Sequence, residues 1–525
     1  MNDDKNKKIN VNGEKNIFIT ILKSLIVIVL AFIQIIELVI VYNTTKHIYN
    51  YATVIFWLLK LTVVLYILYK HSNPEYKVSW ILFIAFLPVA GIVAYLLWGN
   101  GNLRKKKENN LNKLDEKTNK YLEYKNIEEE ILSIDKSRYL QAKYLTNVTG
   151  YPCYKAEHIE YFDMGEKYFE SLKEDLKNAK SYILIEYFLI AKGKLWNEIS
   201  EILKGKSLQG VKINIIVDSF GCLKSKPKNF VYEMKKYGIN VKFFNVITSF
   251  ANGYVNYRDH RKIVVIDGTV AYTGGVNLAD EYANIIERYG KWKDVGVKLV
   301  GKAAYSFSVM VLRSLQSSIK EKIDFNWYKN ESDKNLKNIN LSEKGYVIPF
   351  CDGPNNKKNP IENAYDQIIN NAKDYVYITT PYLIIDEEIL NAILISARSG
   401  VDVRIIVPHI PDKKLVNLVT KSFYQEILES GAKIYEYEPG FIHSKIIVSD
   451  NNVAMIGSAN LDFRSFHVNF ECAAWMYNTG TEITIKNDFD DTLKQCIQID
   501  KEKWCKRSII EKIVEIILSA FAPMM

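Results

Sequence analysis

Cysteine and histidine are scarce in this chain: 525 residues hold six of the first and seven of the second. The cysteines (Cys153, Cys222, Cys351, Cys472, Cys496, Cys505) are scattered, with no C-x-x-C pair. That spacing argues against a cysteine zinc site and fits thiols kept reduced in a cytosol-facing domain. A strong charge of one sign is also missing. The net +9, from 69 basic and 60 acidic residues, is modest for this length, and general solubility accounts for much of the lysine.

Long apolar runs are confined to the first hundred residues. Ile17 to Tyr42 carries only Lys23 and Glu37 as charges, Tyr51 to Tyr69 only Lys60, and Val78 to Trp98 none. Each approaches or exceeds the roughly 20 residues that cross a bilayer. The first run is too long for a signal-peptide core, and Asn43-Thr44-Thr45 offers no cleavage site. Membrane anchoring follows. Lysines crowd the N-terminus (Lys5, Lys7, Lys8, Lys15), then come Lys70 and Lys77, then Arg104 to Lys107. Positive charge stays inside, so the second loop and the start of the polar region both belong in the cytoplasm. A single crossing by the third run cannot satisfy both. Pro88 and Gly91 sit in its middle, where a helix bends or breaks. The pattern favours two crossings plus a re-entrant or interfacial third segment, with three full crossings as the alternative. The expected location is the cell membrane, multi-pass, with a cytoplasmic catalytic region whose nearby lysines meet anionic lipid heads.

Residues 101–150 are rich in Lys, Glu and Asn and read as a solvated helical tether. Beyond them the chain repeats itself. Ala179 to Tyr187 matches Ala372 to Thr380, Gly210 to Asp218 matches Gly400 to Pro408, and Tyr237 to Lys242 matches Ser430 to Tyr435. Each copy alternates amphipathic helices with short apolar strands, the pattern of an α/β sheet covered on both faces. Residues 151–328 and 346–500 form the two halves, with a polar linker at 329–345. Residues 501–525 end in an amphipathic helix from Ile509 to Phe521, which packs on the protein or lies on the membrane.

Each half carries one His-x-Lys-x-x-x-x-Asp pattern: His260, Lys262 and Asp267, then His443, Lys445 and Asp450. A glycine-led turn follows each after the same interval, ending in Asn277 and Asn460. His and Lys two residues apart in a β-branched run face the same way. Two imidazoles and two ammoniums in one cleft suit a phosphodiester. Asp at the seventh position has the opposite parity and lies about 20 Å further along a straight strand. Asp267 and Asp450 are therefore expected to serve the strand end. Glu281 and Glu471, downstream of the turns, are the better candidates to hold the imidazoles.

These motifs resemble the phospholipase D superfamily. From about Tyr151 to Asp500 both halves are similar to its bacterial cardiolipin synthase branch, notably over Thr273 to Tyr282, Trp292 to Asp294, Thr380-Pro381-Tyr382 and Gly457 to Glu471. Two positions depart from it. Asp259 stands in place of Asn, adding an anion expected to raise the pKa of His260, and Gly275 replaces Ser. The resemblance implies two pseudo-symmetric α/β halves sharing one active site, and counts Asp267 and Asp450 within the catalytic motif. It implies that an acidic residue holds imidazole Nδ1, which leaves Nε2 free to attack. It also assigns attack on phosphorus to His260 and acid–base work to His443; the residues alone are symmetric on that point. Lys262, Lys445, Asn277 and Asn460 would hold the non-bridging oxygens. With the lysines supplying positive charge, neither a metal nor another cofactor is expected.

His47, His71, His158, His409 and His467 lack a Lys partner at this spacing and carry no expected role. Arg464 and Ser465 either touch lipid phosphate or stabilise a turn, and Trp292 and Tyr382 either line the cleft or pack. The expected reaction joins two phosphatidylglycerols into cardiolipin and glycerol through a phosphohistidine. Membrane phospholipids are the partners, and nucleic acid is not. A hydrolytic phospholipase D, transfer to another alcohol, and a non-catalytic membrane scaffold are the alternatives.

Overall fold

β-branched and aromatic runs separated by amphipathic segments build two sheets of matching strand order, seen here in a computed structural model. It describes residues 50–70, 73–99, 105–123, 125–246, 256–337, 339 and 342–524. The chain divides into two compact units: 1–105 with 247–256 and 516–525, and 106–246 with 257–515.

In the smaller unit, Tyr51 to Tyr69 lies in the helix Asn50–Tyr69. The third apolar run is interrupted. Its helix Pro74–Phe86 stops at Leu87, and Pro88–Ala94 starts a second one that runs into a π turn, Tyr95–Gly99. Proline cannot continue the first helix but suits the opening position of the next. Ile67, Trp80, Ile84, Ile92 and Tyr95 form the core here, and Ser79 Oγ donates to Ala520 O at 2.8 Å. Among the described residues no helix is long and apolar enough to cross a membrane. The run Ile17 to Tyr42, read as the first crossing, lies outside the described residues.

In the larger unit the first sheet runs His158–Phe162, Gly296–Val300, Val270–Gly274, Lys262–Ile266, Tyr182–Tyr187, Lys212–Asp218, Asn240–Phe244. The second repeats that order with Tyr346–Asp352, Glu471–Tyr477, Val453–Gly457, Ile446–Ser449, Tyr375–Thr379, Asp402–Pro408, Lys433–Tyr437. The two-half α/β expectation holds. Two edge strands extend the second sheet: Tyr154–Lys155 beside Tyr346–Asp352, and Cys496–Gln498 beside Lys433–Tyr437. The boundary at residue 151 is thus corrected, because Tyr154–Lys155 pairs with the second half. The helix Ala304–Ser318, buried almost throughout, serves both sheets. Its Ser306 Oγ lies 3.0 Å from Tyr154 Oη, and its Ser308 Oγ 3.0 Å from Tyr182 Oη.

The segment read as a solvated tether is instead a brace. The helix Lys136–Thr149 buries Arg138, Tyr139, Ala142 and Leu145. Arg138 meets Asp450 at 3.6 Å, and Gln141 Nε2 donates to Gln367 O at 2.8 Å, both in the second half. At the end of the helix Lys105–Thr118, Thr118 Oγ1 and Asn119 Oδ1 accept from Arg313 of the first half at 2.7 Å each. A lysine-rich composition concealed these contacts, because a buried arginine matched by a carboxylate looks like a solvated one in sequence. The linker is likewise partly folded. The helix Phe325–Leu336 is capped by Asp324 and buries Phe325 and Tyr328, whose ring lies 4.9 Å from that of Tyr182. At the C-terminus Lys501–Cys505 and Ile509–Ser519 are helical. Arg507 stacks 3.4 Å from the Trp504 ring and pairs with Glu515, while Ile509, Ile510 and Ile513 remain exposed.

Candidate active site

Two short parallel contacts between the halves set the geometry. Gly440–Ile442 pairs with Lys291–Lys293, Ile442 opposite Lys293. The next residue on each side is His443 and Asp294, and His443 Nδ1 lies 2.6 Å from Asp294 Oδ2. Asp259 bridges to Phe470 in the same sense. The next residues there are His260 and Glu471, whose carboxylate oxygens lie 2.9 and 3.1 Å from His260 Nδ1. Main-chain bonds fix both pairings: His260 N–H donates to Phe470 O at 2.9 Å and His443 N–H to Lys293 O at 2.7 Å. Each imidazole is therefore held by a carboxylate of the opposite half.

The surroundings differ. Tyr282, Trp292 and Phe441 enclose His443, with ring centroids 5.3, 5.6 and 5.9 Å away, whereas Phe188 lies 5.2 Å from His260. Ser458 Oγ donates to Glu471 at 2.5 Å and Asn469 Nδ2 at 3.2 Å. Burial pushes Glu471 up, but His260, Lys262 and the Ser458 hydroxyl together hold it at about 2. Asp294 has no equivalent hydroxyl, because Gly275 occupies the position of Ser458. A Cβ on Gly275 would stand 2.1 Å from Asp294 Oδ1. Burial pushes Asp294 up to about 7 against the pull of Lys445.

Lys262 and Lys445 are buried, each donating to the carbonyl of its own histidine. Lys445 Nζ also lies 2.9 Å from His443 Nδ1. Burial lowers Lys262 to about 8 and Lys445 to about 7. It also holds both imidazoles below the usual histidine range, His443 far below, where Lys445, Lys262 and His260 repel its proton further. Groups crowded in this way are suited to a bound anion, which would restore their charges. Asn277 Nδ2 donates to Tyr282 Oη and Asn460 Nδ2 to Asp462 Oδ2, at 2.8 and 2.9 Å. Each amide keeps a second N–H for a phosphoryl oxygen.

The motif aspartates stand apart from this chemistry. Asp267 accepts the N–H groups of Lys180, Ser181 and Tyr182 at 2.7–2.9 Å. Asp450 does the same for Lys373, Asp374 and Tyr375 at 2.9–3.1 Å. Each ties the turn after the His-Lys strand, where its own φ is positive (55° and 54°), to the start of the neighbouring strand. Counting them as catalytic is corrected: they hold backbone. Asp267→Ala should lower stability by about 3 kcal/mol, because three N–H groups lose their acceptor. Denaturant unfolding checks this, and a loss under about 1 kcal/mol would exclude an anchoring role.

The family model for the cardiolipin synthase, phospholipase D-like domain matches residues 172–287 and 365–496, one segment in each half. A model for the phospholipase D–nuclease N-terminal segment matches residues 52–100. Cardiolipin synthase 2 of Bacillus anthracis is 33% identical over 467 residues, covering 87% of this chain and 88% of that protein. The chain belongs to the cardiolipin synthase family. The cardiolipin synthase of Halalkalibacterium halodurans is 32% identical over 89% of this chain and 93% of that one. Among solved structures, the phosphatidylserine synthase of Haemophilus influenzae superposes with a TM-score of 0.55 at 15% identity. It covers 74% of this chain and 98% of that one, a likeness of fold.

Within this family member the structure brings together His260, Lys262, Glu471, His443 and Lys445, with Asn277 and Asn460 on the adjoining turns. Glu281 is corrected. It meets the Arg288 guanidinium at 3.2 Å, and Asp294 stands at the second imidazole instead. A signal was available, since Asp294 lies two residues before Gly296–Val300, the counterpart of the strand that Glu471 opens. The expected rise at His260 is corrected: burial holds the imidazole below its usual range, and the Asp259 carboxylate is bound by Arg261 Nε at 2.9 Å. Trp292 lines the site against His443, and Ser465 stabilises its turn by accepting from Asn460 N–H.

Proposed function

We propose that this phosphatidyltransferase joins two phosphatidylglycerol molecules, giving cardiolipin and glycerol. The carrying observation is the pair of imidazoles, each held at Nδ1 by a carboxylate from across the two halves beside two buried lysines. His260 Nε2 attacks phosphorus while the P–O bond to glycerol breaks, and His443 gives its proton to the leaving alkoxide. His443 then takes the proton of the second phosphatidylglycerol's hydroxyl. That oxygen attacks phosphorus, and the P–N bond to His260 breaks. Lys262 and Lys445, with the free amide N–H groups of Asn277 and Asn460, stabilise the charge on the non-bridging oxygens. His260 suits attack: its side chain is 13% exposed against 8% for His443, and its carboxylate is firmly anionic.

The apolar runs of the first hundred residues support a multi-pass membrane protein with a cytoplasmic catalytic region. That anchoring delivers the site to lipid rather than to long nucleic acid. Purified enzyme given phosphatidylglycerol vesicles should yield cardiolipin and glycerol without added nucleotide or metal, read by mass spectrometry. Phosphatidic acid as the sole product would make it a hydrolytic phospholipase D.

A further inference from the structure

Three ligating side chains that the chemistry above leaves unused meet in the second half. Glu362 lies in the first turn of the helix Pro360–Asn370, and Asp386 caps the helix Glu387–Arg398, accepting from Ile389 N–H at 3.3 Å. His467 ends the short helix Phe463–His467. Its Nε2 lies 3.4 Å from Asp386 Oδ2 and 3.9 Å from Glu362 Oε1. One donor atom from each residue falls within 4.8 Å of the others. Glu362 is 2% exposed, and Oε1, the oxygen facing His467, accepts no hydrogen bond. Its other oxygen accepts from Asn359 Nδ2 at 2.9 Å. Among the described residues, the basic group within ion-pair reach of these two buried carboxylates is His467. Two carboxylates this close in a poorly solvated place must share a proton or take a cation in its stead.

We propose that Glu362, Asp386 and His467 bind a divalent transition-metal ion of the zinc or manganese class, outside the reaction itself. A tetrahedral ion about 2.1 Å from each donor sets the donors roughly 3.4 Å apart. The observed 3.4 and 3.9 Å need only a small closure. One imidazole with two carboxylates suits these ions better than calcium, which takes oxygen donors, or copper(I), which takes sulfur. Water completes the coordination at the edge where the His467 side chain is 16% exposed. Binding through Nε2 puts the ring proton on Nδ1. That atom lies 3.1 Å from the Asn359 amide nitrogen, which also donates to Glu362, so binding gives up the Asn359–His467 contact and keeps the one to Glu362. His467 lies on the segment between Asn460 and Glu471, and the ion ties that segment to the two helices behind it.

The test uses the full chain in detergent, free of any histidine tag, stripped with a chelator and dialysed against Zn²⁺ or Mn²⁺. Elemental mass spectrometry should find one ion per chain, and thermal unfolding should shift upward with the ion. His467→Gln and Glu362→Gln should each bind at least about tenfold more weakly. If Glu362→Gln does not fold, His467→Gln at the half-open edge carries the comparison. Wild-type occupancy in that variant overturns the site. So does a wild type that binds no ion, which would assign Glu362 and Asp386 a shared proton.

Discussion

His260→Ala should lower cardiolipin formation at least about a thousandfold, because it removes the atom proposed to bond phosphorus. The fold should survive. Glu471 keeps the Ser458 hydroxyl and the Asn469 amide as donors, and among the described residues the lost ring contacts one aromatic side chain, Phe188, edge-on. Membrane recovery and far-ultraviolet circular dichroism should match the wild type, which separates an enzyme from a scaffold that merely keeps the fold. A companion variant identifies the nucleophile. With His443→Ala and a phosphatidyl substrate whose leaving group needs no acid, such as p-nitrophenolate, only the second step lacks its proton carrier, so a phosphatidyl group should accumulate on His260, seen as a mass gain on its peptide. A label on no histidine would remove the covalent route. Retention of more than about a tenth of the turnover by His260→Ala would remove the assignment.

Glu471→Gln should cost about 10³- to 10⁴-fold in kcat with a much smaller change in KM, by analogy with other buried carboxylates that orient a catalytic imidazole. Glu471 accepts from His260 Nδ1, Ser458 and Asn469 at once and balances the nearby Lys262 charge. A glutamine presents N–H groups where acceptors are required. It favours the imidazole tautomer whose Nε2 carries the proton and cannot attack. It also leaves the cations of the site without their anion. Steady-state kinetics on mixed micelles give the split between kcat and KM, and a loss under about tenfold would mean that Glu471 does not set the tautomer.

Much of this arrangement was legible in the chain. The internal repeats announced two sheets of equal strand order, and the scarcity of histidine made two His-Lys pairs conspicuous. Glu471 is legible because it lies downstream of the Asn460 turn. Asp294 was missed by the same rule. In the first half Glu281 lies four residues after Asn277, while the strand that matters starts beyond Asp294. The helix Phe463–His467 fills the corresponding interval in the second half, so spacing from the Asn misleads. Counting from the strand, the two acids correspond. The brace of residues 105–149 was illegible for another reason: what buries Arg138 and Arg313 comes from residues more than 160 positions away. Local composition cannot report such partners.

Each carboxylate turned toward the other half's imidazole bears on how such a catalyst could have begun. A lone ancestral half would own one ring and one anion that do not pair with each other, chemically incomplete as a monomer. Two copies facing about a two-fold axis would have satisfied both rings together, so association had to precede activity. Within the single chain the two copies need no longer be alike: one has a serine behind its anion and the other a glycine.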